Sequence, residues 1–227
     1  MCEQPRAGRP TVHDLRRRWK PQKERLGEGR PDHPTLIRFH RACSWLACAE
    51  TLDLDQNSDL ALISQWISLN AIYGQWDQIA REPLPDRECW RVFVQRIVEL
   101  DQSGHLARAL VSEKRLVLTV LDDRYLSDCF WRDDDSSGPQ GKYKEKQRAH
   151  AWFAKEDWKL ITERLIERIY LVRCQLVHGA ATYGGKLNRR SLKNCATMLS
   201  HLLPAVLLVL IDHGADEDWG IMCYPPL

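Results

Sequence analysis

From Trp158 to Leu176 apolar residues return at helical spacing: Trp158, Ile161, Leu165, Ile169, Val172 and Leu176. At about 100° per residue, Thr162, Ile166, Tyr170 and Val177 widen the stripe on one side. The same periodicity fills most of the chain after residue 33. One helix is predicted from Pro34 or Thr35 to about Leu52. A second follows the turn residues Asp53, Asp55, Asn57 and Ser58 and runs to about Trp76, with Leu62, Trp66, Leu69, Tyr73 and Trp76 as its stripe. Further helices are expected over 86–102 and 104–126. Residues 127–141, which include Asp133, Asp134 and Asp135, read as a solvated loop. A short basic helix with Lys142, Lys144, Lys146 and Arg148 comes next, ahead of Trp152 and Phe153. After a turn at 182–187, Asn188 is placed to cap a last helix carrying Leu192, Ala196, Leu199, Leu203, Val206 and Leu210. Pro204 should kink that helix or force a local adjustment. No alternating strand series and no internal repeat stands out.

Residues 1–33 read differently. Arg16-Arg17-Arg18-Trp19-Lys20 heads a basic cluster with Lys23, Arg25 and Arg30, and Pro10, Pro21 and Pro31 interrupt it. The prolines argue against a long helix. The expectation is a flexible basic leader, a solvated arm docked on the body through Leu15 and Trp19. The alternative use is to grip phosphates, with Trp19 stacked on a base. The fold expected is therefore an all-α helical bundle over 34–227 with a flexible basic N-terminal leader over 1–33.

Composition narrows the partners. A chain of 227 residues, 44% hydrophobic and 28% charged, can bury a core as an ordinary soluble domain does. Its net charge of +2 means that any affinity for nucleic acid must come from local patches. The eight cysteines are scattered singly, without a C-x-x-C pair. They are read as reduced, mostly buried thiols of a cytoplasmic protein, not as a disulfide framework or a zinc site. The string from Asp53 resembles a calcium loop only superficially, with Ser58 at its sixth position and Ser64 at its twelfth. The start lacks the apolar stretch of a secretory signal. The greasiest run, Leu202 to Ile211, is short for a bilayer and contains Pro204, so a buried core helix is expected and no membrane partner.

Candidate chemistry concentrates where the motif helix ends. Arg173 falls inside the apolar arc, between Ile169 and Ile166. A guanidinium cannot shed its proton, so burying it is costly unless a carboxylate, a phosphate or water meets it. Five residues later stands His178, a side-chain type suited to proton transfer, followed by Gly179, a common helix end. Phosphate charge and proton transfer together are a minimal toolkit for cutting RNA. On a straight helix, however, an i, i+5 pair is separated by about 140° around the axis and about 7.5 Å along it. Either the helix unwinds at Gly179, or a second subunit completes the site. The plainer reading pairs Arg173 with a core carboxylate and leaves His178 capping carbonyls. Asn70 falls on the apolar face of its own helix, flanked by Ile63 and Ile67. A buried amide must be satisfied, so Asn70 is expected to orient Arg173, to contact RNA or to clamp backbone between helices.

Arg173 and His178 match the R-x(4–6)-H motif of the HEPN superfamily, a group of all-α domains. The stretch Ile169 to Tyr183 resembles the motif helix of stand-alone prokaryotic members. Trp66-Ile67-Ser68-Leu69-Asn70-Ala71-Ile72-Tyr73-Gly74 resembles their second-helix signature. Asn188-Arg189, Asp218-Trp219-Gly220 and Cys223-Tyr224-Pro225 are similar to that group as well. Two positions depart from the pattern. The residue after the motif arginine, often asparagine in the family, is Cys174, a feeble hydrogen-bond donor. The position two after the histidine, a tyrosine modified by a partner nucleotidyltransferase in some HEPN toxins, is Ala180, and the nearest tyrosine is Tyr183.

The resemblance implies a HEPN-like bundle acting as a metal-independent endoribonuclease, of the kind found in toxin–antitoxin, antiphage and RNA-processing systems. It implies a homodimer that places two Arg173/His178 pairs in one cleft, with RNA as substrate and an antitoxin or other protein as partner. No cofactor and no metal ligand is assigned. Arg173 and His178 are the catalytic candidates; Asn70, Cys174, Tyr183, Asn188 and Arg189 are the substrate-binding or supporting candidates. The alternatives are a non-catalytic HEPN scaffold that holds RNA, a nucleotide or a protein, and a helical dimerisation protein in which Arg173 is structural.

Overall fold

A computed structural model describes residues 9–127, 139–186 and 188–224. The expected loop with Asp133–Asp135 and the side chains of Lys142, Lys144 and Lys146 lie outside the described residues. In chain order the elements are α1 (Val12–Gly27), α2 (Pro34–Glu50), α3 (Ser58–Tyr73), β1 (Trp76–Asp77), β2 (Glu82–Pro83), α4 (Asp86–Leu100), α5 (His105–Ser112), α6 (Lys114–Leu121), α7 (Pro139–Ala154), α8 (Trp158–Val177) and α9 (Arg189–His213). A single 3-10 turn, Arg124–Leu126, follows α6. The all-α expectation holds, since β1 and β2 form only a two-residue antiparallel ladder, Trp76 opposite Pro83 and Asp77 opposite Glu82.

The apolar helix α9 is the centre of the bundle and packs against α1, α3, α4, α5, α6 and α8. By length and composition it could cross a membrane, yet 78% of its most apolar window is buried inside the fold. Pro204 is buried within it and does not end it. The stripe that predicted α8 is largely buried: Ile161, Thr162, Leu165, Ile166, Ile169 and Val172 face the core, whereas Val177 is exposed at the end.

The leader docks on the body through Leu15 and Trp19, as expected, but its flexibility is corrected. Residues Val12–Gly27 form a 16-residue helix despite Pro21, not a flexible arm. Val12, Leu15, Trp19 and Leu26 recur at helical spacing and are buried, and Trp19 stacks on Phe39 of α2 with ring centroids 4.3 Å apart. Burying aliphatic side chains at about 1.5–3 kcal/mol each outweighs the roughly 3 kcal/mol of an internal proline. That cost is softened because Pro21 and Arg17, whose carbonyl loses its partner, both face solvent. Thr11 and Asp14 close a capping box at the start. The cationic cluster itself ties the helix down: Arg18 donates to both oxygens of Asp212 at 2.8 and 3.0 Å, and Arg25 to those of Asp216 at 2.7 and 2.8 Å.

Two helix boundaries also differ. The single helix expected over 104–126 breaks at Glu113, whose backbone leaves the helical region. Continuing the Leu106–Leu110 stripe would place the polar Glu113 and Lys114 next on the buried face, and burial resumes only at Val117. Helix α3 stops at Tyr73 instead of Trp76 because its end is claimed from outside. The guanidinium of Arg38 in α2, 1% exposed, donates to the carbonyls of Ile72 (2.8 Å) and Gly74 (2.7 Å). Its other nitrogen donates to Trp219 (3.2 Å) and Gly220 (3.0 Å), clasping the C-terminal segment against the end of α3. Gly74 sits so close to Asn70 that a Cβ there would stand 2.8 Å from the Asn70 carbonyl oxygen. The chain therefore turns at Gly74 into β1, and the start of α4 returns beside the last turn of α3.

Candidate functional site

Helix α8 runs unbroken to Val177, and His178 caps it with its own N–H donating to the Cys174 carbonyl at 2.9 Å. The helix then closes in a Schellman motif. Gly179, at φ +71°, donates to Leu176 (3.2 Å), and Ala180 donates to Gln175 (2.8 Å). Unwinding does not swing the imidazole round. His178 stays on the helical lattice, so the separation of about 140° from Arg173 holds. The His178 side chain is exposed and has no hydrogen-bond partner among the described residues.

Arg173 projects from α8 toward α3 and α4, with its side chain 25% exposed. Its guanidinium lies over two aromatic faces, Trp66 at 5.9 Å and Tyr170 at 5.8 Å from the ring centroids. Each such contact is worth about 0.5–1 kcal/mol at a solvent-accessible site. The carboxylate that balances the charge is Asp86, the first residue of α4, with Arg173 Nη2 3.8 Å from Asp86 Oδ2. A helix N-terminus favours a carboxylate.

Asp86 is itself held. Its Oδ1 accepts from the Tyr73 hydroxyl at 2.6 Å and from Asn70 Nδ2 at 3.0 Å. Its Oδ2 is buried without a hydrogen bond and faces Arg173. Burial, and then the facing Asp86 carboxylate, push the Tyr73 phenol well above its ordinary pKa, so it remains a donor. Asn70 thus reaches Arg173 indirectly, through Asp86, and clamps side chain to side chain rather than backbone. Arg87 stacks over Tyr170 with 5.6 Å to the ring centroid, adding a second cation beside the ring. Tyr170 has its phenol pKa raised by burial and then by a hydrogen bond with Cys174.

Of the remaining candidates, Cys174 joins this cluster, whereas Tyr183, Asn188 and Arg189 separate from it. Cys174 lies beside Arg173, with Nη1 to Sγ at 3.9 Å. Tyr183 is 65% exposed on the turn after α8. Asn188 stands at the cap of α9 in a left-handed conformation (φ +55°), but its side chain makes no capping hydrogen bond; only its carbonyl accepts, from Leu192 at 2.9 Å. Arg189 is committed elsewhere, donating to Gly185 O at 3.0 Å, to Ser58 Oγ at 3.1 Å and to the Asp59 carboxylate. Its place is a clamp that holds the turn after the motif against the start of α3.

Asp86, Tyr73, Trp66 and Arg87 complete the site, and the sequence carried partial signs of them. Trp66, Asn70 and Tyr73 occupy positions i, i+4 and i+7 of one helix face. Leu84-Pro85-Asp86 is a readable helix start. Nothing local marks Asp86 as the partner of an arginine 87 positions downstream. Among the described residues no group of three or more His, Cys, Asp or Glu side chains is arranged to hold a metal ion. Compared with protein-family models, curated proteins and solved structures, the chain matches none.

Proposed function

We propose that this chain is a metal-independent endoribonuclease of HEPN type, acting as a dimer in which two Arg173/His178 pairs share one cleft. The supporting observation is the setting of Arg173. Its guanidinium is braced by two aromatic rings, partly exposed, and balanced by a carboxylate beyond hydrogen-bonding distance. Such a cation is positioned in advance yet retains donors for a phosphate.

In the reaction the ribose 2′-oxygen attacks the adjacent phosphorus, so RNA supplies its own nucleophile. The 2′-hydroxyl proton passes to one His178, and the bond from phosphorus to the 5′-oxygen breaks. The His178 of the partner subunit donates a proton to the leaving 5′-oxygen. Arg173 stabilises charge on the phosphorane. The products are a 2′,3′-cyclic phosphate and a 5′-hydroxyl. The biological setting that fits is a cytoplasmic toxin or antiphage component with an antitoxin or other protein partner.

The test is incubation of the full chain with labelled RNA in excess chelator. Cleavage leaving 2′,3′-cyclic ends, and a loss of about 10²–10³ in rate for Arg173→Ala, are the expected results. A strict magnesium requirement, or wild-type cleavage by both Arg173→Ala and His178→Ala, overturns the reading. One observation favours a non-catalytic scaffold that holds RNA, a nucleotide or a protein: the His178 ring has no partner among the described residues to fix its orientation. Tight RNA binding without cleavage would select that second reading.

A further inference from the structure

Away from α8, a groove of about 630 Å³ lies between α1 and α2. That volume is within the range of small-molecule sites, about 300–1,000 Å³. Arg16, Lys20 and Lys23 line one wall, at i, i+4 and i+7 of α1, and Glu24 lines the groove beside them. They form a row of positive charge about 10 Å long. Helix α1 divides its cations by task. Arg18 and Arg25 are paired with Asp212 and Asp216 and dock the helix, whereas the row faces the groove. Within that row only Lys20 has a carboxylate partner among the described residues, Glu24 of the same helix at 3.8 Å. Arg17, also on the rim, is held by Asp14 at 3.2 Å. Like charges at this spacing repel, and a bridging anion relieves the repulsion.

The floor has the opposite character. Leu36, Phe39 and Cys43 of α2 line it, and Phe39 is backed by the stacked ring of Trp19. Burial pushes the Cys43 thiol up to about 12, against the pull of the neighbouring Arg16 guanidinium, so the floor carries no negative charge at neutral pH. Phe39 and Cys43 are buried at 2% and 0% exposure, so the partly exposed Leu36 is the accessible part of this uncharged floor. The row of cations above it suits a ligand with several linked negative charges at one end and an apolar body at the other.

We propose that the α1–α2 groove binds a nucleoside polyphosphate, with the phosphates along Arg16, Lys20 and Lys23 and the base toward Leu36. This site draws its walls from α1 and α2, whereas the Arg173 cluster is built from α3, α4 and α8, so it stands whether or not the chain cuts RNA.

The test is calorimetric titration of the full chain with each of the four ribonucleoside triphosphates, with inorganic triphosphate and with the unphosphorylated nucleosides. At least one nucleoside triphosphate should bind more tightly than inorganic triphosphate and its own nucleoside. Lys20→Glu with Lys23→Glu should weaken it by about tenfold or more. Both lysines are exposed, so the thermal melt should stay unchanged, and Arg16→Gln supplies a milder second variant. Binding should persist in Arg173→Ala. Absence of binding at millimolar nucleotide overturns the proposal. So does inorganic triphosphate binding as tightly as the nucleotide, which would make the groove a plain anion patch. So does loss of binding in Arg173→Ala with retention in the lysine variants, which would move the ligand to the motif site.

Discussion

Arg173 Nη2 stands 3.8 Å from Asp86 Oδ2, near enough for attraction and too far for a hydrogen bond. The carboxylate restrains the guanidinium without using up its donors, because Tyr73 and Asn70 occupy its other oxygen. Truncating Asp86 to alanine removes a partner from three groups at once. Asp86→Ala should cost about 1–3 kcal/mol in urea denaturation, the range for leaving buried polar groups unsatisfied. Asp86→Asn keeps an oxygen for the Tyr73 hydroxyl but loses the charge facing Arg173. It should retain most of the stability while RNA affinity or cleavage shifts measurably. Identical stability and RNA handling in both variants and wild type would remove Asp86 from the site.

Helix α1 gives a second, purely structural expectation. Trp19 is 4% exposed and stacked on Phe39, so Trp19→Ala should destabilise the chain by about 3–5 kcal/mol. Lys20→Ala, on the solvent side, should fall within about 0.5 kcal/mol of wild type. Chemical denaturation measures both. A neutral Trp19→Ala would return α1 to the status of a loose arm.

These two regions show what the pattern of residues can and cannot convey. The stripes of α2, α3 and α8 were legible because burial follows the 3.6-residue period over four or more turns. The stripe of α1 is equally present, in Val12, Leu15, Trp19 and Leu26, but Pro10, Pro21 and Pro31 argue locally against a helix, and only the buried apolar area shows that they are outweighed. Arg173 and Arg38 carry the same signature, an arginine among apolar residues at helical spacing. Their solutions differ: Arg38 spends its donors on the carbonyls of Ile72, Gly74, Trp219 and Gly220, and Arg173 meets two rings and a distant carboxylate. Backbone carbonyls have no residue identity, so no sequence pattern names them as partners. Asp86 has an identity, but its pairing is set by the turn at Gly74 and the hairpin that follows, and that is tertiary information.

Stability should fall on the alkaline side. Burial raises the Cys43 thiol to about 12, and the Cys195 thiol and Tyr73 phenol lie well above their ordinary values, so the folded chain holds these protons more tightly than the unfolded chain. For an acid raised in this way, the stabilisation is complete below its unfolded value and is lost as pH climbs toward the folded one. Each buried thiol then contributes a slope of up to about 1.4 kcal/mol per pH unit. The denaturation midpoint should therefore be nearly flat from pH 7 to 8 and decline from about pH 9 upward, where free thiols and then phenols ionise. Cys43→Ala should flatten the decline. An unchanged slope in that variant would mean that Cys43 ionises in the fold as it does in water.

The unbroken end of α8 bears on how the chain assembles. Because the helix keeps its hydrogen bonding to His178 and closes in a Schellman motif, the His178 side chain leaves the axis on a different side from that of Arg173. One chain also offers one motif imidazole, whereas cleavage with both a base and an acid uses two proton-transfer groups. A two-fold axis presents the same surface twice and supplies the second imidazole together with an arginine approaching from another direction. The active species should accordingly be a dimer by light scattering, with the C-terminal turns of the two α8 helices near the axis. Mixing an Arg173→Ala chain with a His178→Ala chain tests where each site takes its parts. If each site takes its arginine and histidine from different subunits and one imidazole is enough, the heterodimer unites the intact arginine with the intact histidine and recovers part of the activity that both homodimers lack; no recovery means that the cleft needs both imidazoles. A monomer with full activity at assay concentration would refute the shared cleft and leave the spacing along α8 without a catalytic role.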